Sequence, residues 1–275
     1  MKLQKQLTGL KRTPIMRRMK VATFNANSIR SRVEIINSWL AENRPQILCV
    51  QETKVQDSEF PLDAFCDRGY HVVFRGQKKY NGVAVFSDQP VETAVTSLPG
   101  DSGDEARFLQ IFYKKIAVIN TYIPQGDSPA SEKFQYKLRW FSLLKKYFSK
   151  TFKSTEPILW MGDFNAALEE KDVYDPKGLW GSVCFCREVQ DALKSLMQWG
   201  FVDLFRQFHP EDGLYTFWDY RLPNGFVRNL GWRLDYIMAT PSLAQKCIDC
   251  RIDKIPRGLD KPSDHTFVVA EFKDL

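Results

Sequence analysis

The chain has 275 residues, 44% of them hydrophobic and 26% charged, a balance that belongs to a globular protein with one sizeable core and not to a disordered or fibrous chain. No apolar run approaches the roughly 20 residues that cross a bilayer, and the first 20 residues lack the apolar centre of a secretory signal, so the sequence argues against membrane spanning and secretion. The net charge of +6 is concentrated in residues 1–20, which hold seven of the 39 basic residues and no acid, leaving 32 basic against 33 acidic residues elsewhere; any nucleic-acid site in the body must therefore be a local patch.

In chain order, residues 1–18 read as a basic, disordered tail or an overlong start upstream of Met16 or Met19, with a transit peptide as a weaker alternative. Residues 19–275 read as one domain of mixed α and β, without repeats or a dividing linker. Val21 to Phe24 forms a short apolar run that ends in Asn25 and Asn27. A helix is expected over 31–43, where Ser31 and Glu34 have capping-box spacing, Val33, Ile36 and Leu40 share a face, and Pro45 follows. Ile47 to Val50 then runs through Gln51 into Glu52, and Ile116 to Thr121 into Tyr122. A second helix is expected over 131–149, with Ser131 as its cap and Phe134, Leu138 and Phe141 along one stripe. Ile158 to Met161 leads into Gly162, Asp163 and Asn165, and a third helix is expected over 187–199, closed by Gly200. Arg233 to Met238 reads as a strand with Asp235 inside it, and Asp264 and His265 stand just before the run Thr266 to Phe272.

Polar residues displayed where buried strands meet their loops are a common way for α/β sheets to build a site, and six such endings suggest convergence. The set is Asn25, Asn27, Glu52, Tyr122, Asp163, Asn165, Asp235, Asp264 and His265. It is rich in hard oxygen donors and holds one imidazole, which suits magnesium or manganese better than zinc. Magnesium held by one or two carboxylates commonly completes its shell with substrate phosphate, so the expected substrate is phosphorylated. Among the three histidines, His71 in a strand-like stretch and His209 before Pro210 read as structural. His265 can be held by Asp235 in one tautomer, which favours the imidazolium and suits it to a phosphate gaining charge. In the string GDFN, Gly162 would let the backbone approach a ligand, Asp163 could exchange a proton, and Asn165 could orient phosphate or water. Cys247 and Cys250 have the C-x-x-C spacing of a zinc site, with Cys184 and Cys186 as the candidates to complete it, but neither pair has ribbon or knuckle surroundings, so reduced structural thiols are the expectation for them and for Cys49 and Cys66.

Eight strings stand in one order: FNANSIRSR at 24–32, QETK at 51–54, YNGVAVFS at 80–87, YIPQG at 122–126, GDFN at 162–165, YTFWDYR at 215–221, GWRLDY at 231–236 and KPSDH at 261–265. This order resembles that of exonuclease III type abasic-site endonucleases, within the endonuclease/exonuclease/phosphatase superfamily, from about residue 19 to the C-terminus. The resemblance implies a four-layer α/β sandwich, two mixed sheets face to face between helices, with the site at one edge. It implies Glu52 as main magnesium carboxylate with Asn27 and Asp264 beside it, and Asp163, Asn165 and His265 within reach of the metal. Asn25 and Asn165 would orient phosphate and water, Tyr122 would contact the phosphate, Asp163 would be the acid/base group, and Asp235 and His265 an aspartate–histidine pair. Phe217, Trp232 and Leu234 match an apolar pocket for a flipped abasic sugar, although core packing is the simpler account from sequence alone. Arg30, Lys54, Lys78, Arg221 and Lys261 are candidate phosphate contacts against a reading as solvated surface.

The chain departs from some relatives in GSVCFCREVQ at 181–190, in QGDSPASEK after Tyr122, which lacks an arginine, and at Asn27, which some relatives replace with aspartate. The function implied is a magnesium-dependent, manganese-tolerant hydrolase of DNA repair that cuts duplex DNA 5′ to abasic sites, leaving 3′-hydroxyl and 5′-phosphate ends, with 3′ phosphatase or 3′ to 5′ exonuclease action at blocked ends. The expected protein is monomeric and, if bacterial, cytoplasmic and nucleoid-associated. The rivals are an RNA or small-molecule phosphoesterase of the same fold and a non-catalytic nucleic-acid-binding member, whose expected signature, missing acids, is not seen.

Overall fold

The computed structural model describes residues 18–66, 68–91, 94–273 and 275; the basic stretch 1–17 lies outside them, and Arg18 already belongs to the first strand. Twelve strands follow in order: β1 (Arg18–Asn25), β2 (Ile47–Gln51), β3 (His71–Arg75), β4 (Val83–Ser87), β5 (Ala94–Val95), β6 (Phe108–Tyr113), β7 (Ile116–Tyr122), β8 (Ile158–Asp163), β9 (Val202–Asp203), β10 (Asp235–Ala239), β11 (Cys247–Asp253) and β12 (Phe267–Lys273). They form two six-stranded mixed sheets, ordered β11-β12-β1-β2-β4-β3 and β5-β6-β7-β8-β10-β9.

The strands that pack between sheets are apolar on both faces because each face is covered. Inward residues such as Val21, Cys49, Val85, Val118, Met161, Ile237 and Val268 form one core between the sheets. The outer face of the first sheet packs Phe24, Val50 and Phe267 against Ile36, Trp39 and Leu40 of the helix Val33–Asn43, with the Phe267 ring stacked on Phe24 and Trp39 at centroid distances of 4.0 and 4.2 Å. The outer face of the second sheet packs Ile119, Trp160 and Tyr236 against the helices Glu132–Thr151 and Arg187–Gly200. Helix, sheet, sheet, helix is the four-layer sandwich expected. Among the described residues no helix is long and apolar enough to cross a membrane.

Local expectations hold unevenly. Ser131 caps its helix as expected, its Oγ accepting from the Phe134 N–H at 3.1 Å. Ser31 does not: a 3-10 turn over Arg30–Arg32 precedes a helix that begins at Val33 with no side-chain cap. Positive φ angles at Asn27 (43°) and Ser28 (95°) redirect the chain here, so the helix is entered through a turn. His71 is exposed on β3, and the His209 ring stacks on Phe205 at 4.6 Å. The cysteines with described side chains are free and buried. Cys247 and Cys250 belong to the core between the sheets while Cys186 belongs to the core outside the second sheet, so the two pairs do not form one zinc site.

Gly162 has a different reason from the one its sequence suggests. At φ 141° it lies beside Thr121 of the parallel neighbour β7, and a Cβ there would stand 1.9 Å from the Thr121 carbonyl oxygen. The glycine admits the neighbouring strand. Gly162→Ala is expected to destabilise the protein by about 3 kcal/mol through this clash and the positive φ, measured as a lowered urea midpoint with unchanged slope.

Candidate active site

The topology brings the polar strand ends together. β1 and β2 are parallel, as are β7 and β8, so Asn25, Glu52, Tyr122 and Asp163 leave the sheets at the same edge. β10 runs antiparallel to β8 and opens with Asp235 directly opposite Asp163; Asp235 is thus the first residue of its strand and not an interior one. β12 runs antiparallel to β1, which returns Asp264 and His265 to the same edge. The first sheet supplies Asn25, Asn27, Glu52, Asp264 and His265, and the second supplies Tyr122, Asp163, Asn165 and Asp235. Glu52 (φ 50°) and Asn165 (φ 48°) both adopt the left-handed conformation as they leave their strands, a strain that clusters at functional sites.

Asn25 sits at the seam. Its Nδ2 donates to Glu52 Oε1 and to Asp163 Oδ2, each at 2.8 Å, and its Oδ1 accepts from the Asn27 N–H at 2.9 Å. The Asn165 N–H donates to Asp163 Oδ1 at 2.8 Å, and Asn165 Nδ2 donates to the Ile123 carbonyl at 3.0 Å. His265 Nδ1 lies 2.8 Å from Asp235 Oδ2 and its Nε2 lies 3.7 Å from Asp163 Oδ2. Burial opposes a charge on His265, but the Asp235 and Asp163 carboxylates outweigh it and push its pKa up to about 10. Burial pushes Asp163 up to about 7, against the pull of the imidazolium. Burial also works on Glu52, yet the Lys54 ammonium and the Asn25 amide hold it below the ordinary carboxylate range. Tyr122 is held far above the usual phenol range by burial and by Glu52 and Asp163 beside it. The edge therefore presents an imidazolium, a neutral phenol, two amides and a carboxylate whose proton is mobile near neutrality.

One ligand atom each from Glu52, Asp163 and His265 falls within 4.8 Å of the others. Lys54 Nζ contacts Glu52 Oε2 at 2.7 Å and hydrogen-bonds Asn27 Oδ1, while Asn27 Nδ2 donates to Asp264 Oδ1 at 2.9 Å. Carboxylate and amide oxygens that already partner one cation suit a hard divalent ion. His265 is a poorer ligand than Glu52 or Asp264, because both its nitrogens carry protons in the form that the two aspartates favour.

Residues 22–265 match the model of the Endonuclease/Exonuclease/phosphatase family. The chain belongs to that family. It is 33% identical over 268 residues to exodeoxyribonuclease III of Haemophilus influenzae, covering 93% of this chain and 100% of that one. Its fold matches an AP endonuclease from Archaeoglobus fulgidus with a TM-score of 0.90 at 48% identity, covering 92% of this chain and 99% of that one. It also matches the 3′ phosphatase NExo from Neisseria, bound to a product DNA hairpin, with a TM-score of 0.89 at 35% identity, over 94% of this chain and 100% of the other. Within the family the chain is thus a nuclease of the exonuclease III and AP endonuclease group.

The remaining positions can be placed in this endonuclease/exonuclease/phosphatase chain. Phe217 and Trp232 pair through an isolated bridge, and Phe217 also bridges His265, with its ring 4.8 Å from the imidazole. Leu234 is buried two residues on from Trp232, and Phe217 and Trp232 are half-buried, so the Phe217–Trp232 pair puts an apolar edge next to the histidine. The basic candidates separate. Lys54 lies inside the site; Arg30 pairs with Glu59 at 3.5 Å, Arg221 pairs with Asp219 at 2.6 Å, and Lys78 and Lys261 are exposed.

Several contributors had no marked role in the sequence. Ser263 Oγ donates to the Asn25 carbonyl at 2.7 Å and accepts from the His265 N–H at 3.2 Å. Thr216 Oγ1 accepts from the N–H groups of Leu234 and Asp235. Arg107 lies over the Tyr122 ring at 4.8 Å. Ser263 and Thr216 lie within KPSDH and YTFWDYR, so the strings held the signal without the roles.

Proposed function

We propose that this protein is a magnesium-dependent DNA-repair hydrolase that cuts duplex DNA 5′ to abasic sites, leaving 3′-hydroxyl and 5′-phosphate ends, and that also trims blocked or recessed 3′ ends. The observation that carries the reading is the chain of contacts from Asp235 through His265 to Asp163, next to Glu52 and edged by Phe217 and Trp232. It offers phosphoryl-transfer chemistry beside an apolar surface that suits a sugar without a base. Its likeness to an AP endonuclease and to a 3′ phosphatase supports both halves of the proposal.

Glu52, Asn27 and Asp264 would hold magnesium, which supplies positive charge to a phosphate oxygen when bound. Asp163, with an acceptor oxygen fixed by Asn25 and another by the Asn165 N–H, would take the proton of the attacking water as its oxygen bonds to phosphorus and the bond from phosphorus to the 3′ oxygen breaks, the leaving oxygen taking a proton from solvent to become the 3′-hydroxyl. His265, kept charged by Asp235, would donate to the phosphoryl oxygen that gains charge, and Tyr122, kept neutral, would donate to another. Asn25 and Asn165 would hold the phosphate and the water in line.

The test is cleavage of a labelled duplex with one stable abasic analogue, alongside an undamaged duplex with a recessed 3′ end, an RNA duplex and a small phosphodiester, in magnesium, manganese and excess EDTA. A metal-dependent cut 5′ to the lesion is expected, and folded protein that binds the duplex without cutting it would overturn the reading. The pH profile carries a second expectation. Activity needs Asp163 deprotonated and His265 protonated, so the rate should rise with pH through a midpoint at about 7 to a plateau above it and decline near 10. Asp235→Asn removes the carboxylate that sustains the imidazolium, and the alkaline limb should move down by at least a pH unit.

A further inference from the structure

The helix Glu132–Thr151 turns a stripe of Phe134, Phe141, Leu144 and Phe148 toward the second sheet. Lys137 lies on the same stripe and is fully buried. A lysine on a core-facing stripe is expected to reach for solvent or a carboxylate, and this one does neither. Its ammonium donates to the carbonyl oxygens of Asn165 at 2.6 Å, Val183 at 2.6 Å and Gln125 at 3.1 Å, with Cys184 Sγ at 3.9 Å. Three donors meet three backbone acceptors, so the hydrogen-bonding capacity of the group is used in full.

The three carbonyls come from three separate exits toward the site. Gln125 follows β7 and Tyr122, Asn165 follows β8 and Asp163, and Val183 stands in the loop before the helix Arg187–Gly200. Asn165 is in the left-handed conformation at φ 48°. Its N–H is held by Asp163 and its side chain by Ile123, and Lys137 holds the remaining group, its carbonyl. The backbone is fixed at both ends, and the side-chain amide is set by the Ile123 carbonyl and by the Cys184 thiol, whose Sγ lies 4.0 Å from Asn165 Oδ1.

We propose that Lys137 is a positioning residue: it acts through Asn165, gathering three loop carbonyls onto one buried ammonium so that the Asn165 amide stays aimed at phosphate and water. The proposal rests on the reading of the site as a phosphodiesterase, and it assigns to Lys137 no contact with substrate. Helix and site are thereby joined through one polar side chain in addition to the apolar packing of the helix on the second sheet.

The test combines the full-length protein and its Lys137→Met, Lys137→Arg, Asn165→Ala and doubly substituted forms. The side-chain amide resonance of Asn165, identified by its disappearance in Asn165→Ala, should move in Lys137→Met, and backbone amide exchange should speed up over residues 163–167 and 181–185 while β1 and β12 keep their protection. On the duplex that wild type cleaves, kcat should fall roughly 10- to 100-fold with KM within about twofold, and the same change made in Asn165→Ala should cost less than about twofold. Lys137→Arg, which keeps the charge and donors, should recover part of the loss. An unmoved Asn165 resonance, or an equal loss in both backgrounds, would overturn the proposal. If Lys137→Met does not fold, Lys137→Arg is compared with wild type by the same readouts, where a displaced Asn165 amide with a non-additive loss is expected and its absence counts against the idea. If wild type cleaves none of the substrates, the functional reading fails, and the resonance and exchange data still decide whether Lys137 positions Asn165.

Discussion

Asp163→Asn is expected to lower phosphodiester cleavage by about 10³- to 10⁴-fold while leaving the fold and duplex binding in place. Loss of a positioned acid or base alone removes about 10²- to 10⁴-fold, and Asp163 also partners the His265 imidazolium and the Asn25 amide. Binding should be retained or tightened, because the substitution removes an anion from the place where a phosphate would lie. The variant also has a signature in stability. The Asp163 pKa is raised by burial from 3.8 to about 7, so between those values the folded protein holds a proton that the unfolded chain has released, and wild type loses stability from this group as pH rises. Asparagine has no such term. Whatever the constant cost of the substitution, the variant should gain on wild type between pH 4 and 7 by at most roughly 4 kcal/mol. Denaturation in urea at pH 4.5, 6 and 7 measures this directly, and a stability difference that does not vary with pH would contradict the assignment of the proton to Asp163.

Asp172→Ala is expected to destabilise the protein by about 3–5 kcal/mol, the usual cost of stranding a buried charge. Asp172 is fully buried, and its carboxylate accepts from Arg233 Nε at 2.7 Å, from Arg233 Nη2 at 3.1 Å, from Arg206 Nη2, and from the N–H groups of Leu168 and Glu169 at 3.1 and 3.0 Å. Arg233, also fully buried, has its other side against Asp203 at 2.8 Å. Removing Asp172 leaves two guanidinium groups with one carboxylate and two backbone donors with nothing. Arg233 stands between Trp232 and Leu234 and two residues before Asp235, so the apolar edge and the histidine's partner should both loosen. The expected result is a large fall in melting temperature together with a raised KM for the abasic duplex. Asp172→Asn, which keeps the acceptor oxygen, should recover part of the stability.

The layered fold was legible because strands covered on both faces read as short apolar runs, and the polar residues that interrupt them mark where each leaves the core. Asn25, Glu52, Tyr122, Asp163, Asp264 and His265 all announce themselves in this way. What periodicity does not carry is the direction of each strand, and it is direction, parallel for β1 and β2 and antiparallel for β8 and β10, that puts Asp235 opposite Asp163. The buried charges were harder. Lys137, Asp172 and Arg233 look like surface residues in sequence, and the partners that hold their charges include Asn165, Arg233 and Asp203, 28, 61 and 30 positions away. Ser31 shows the opposite fault: a correct capping pattern was overridden by the turn through Asn27 and Ser28. Gly162 was marked as special, but the approach that requires it comes from Thr121, which no local pattern reveals.

β12 enters the first sheet between β11 and β1, so the last strand of the fold is an inner one. Asp264 and His265 are carried on the segment that leads into it. Until that strand is inserted, Asp163 has no imidazolium and Asn27 has no carboxylate partner, whatever the rest of the chain has achieved. A molecule without that strand lacks both pairs, so the site is complete only with the closure that also completes the core.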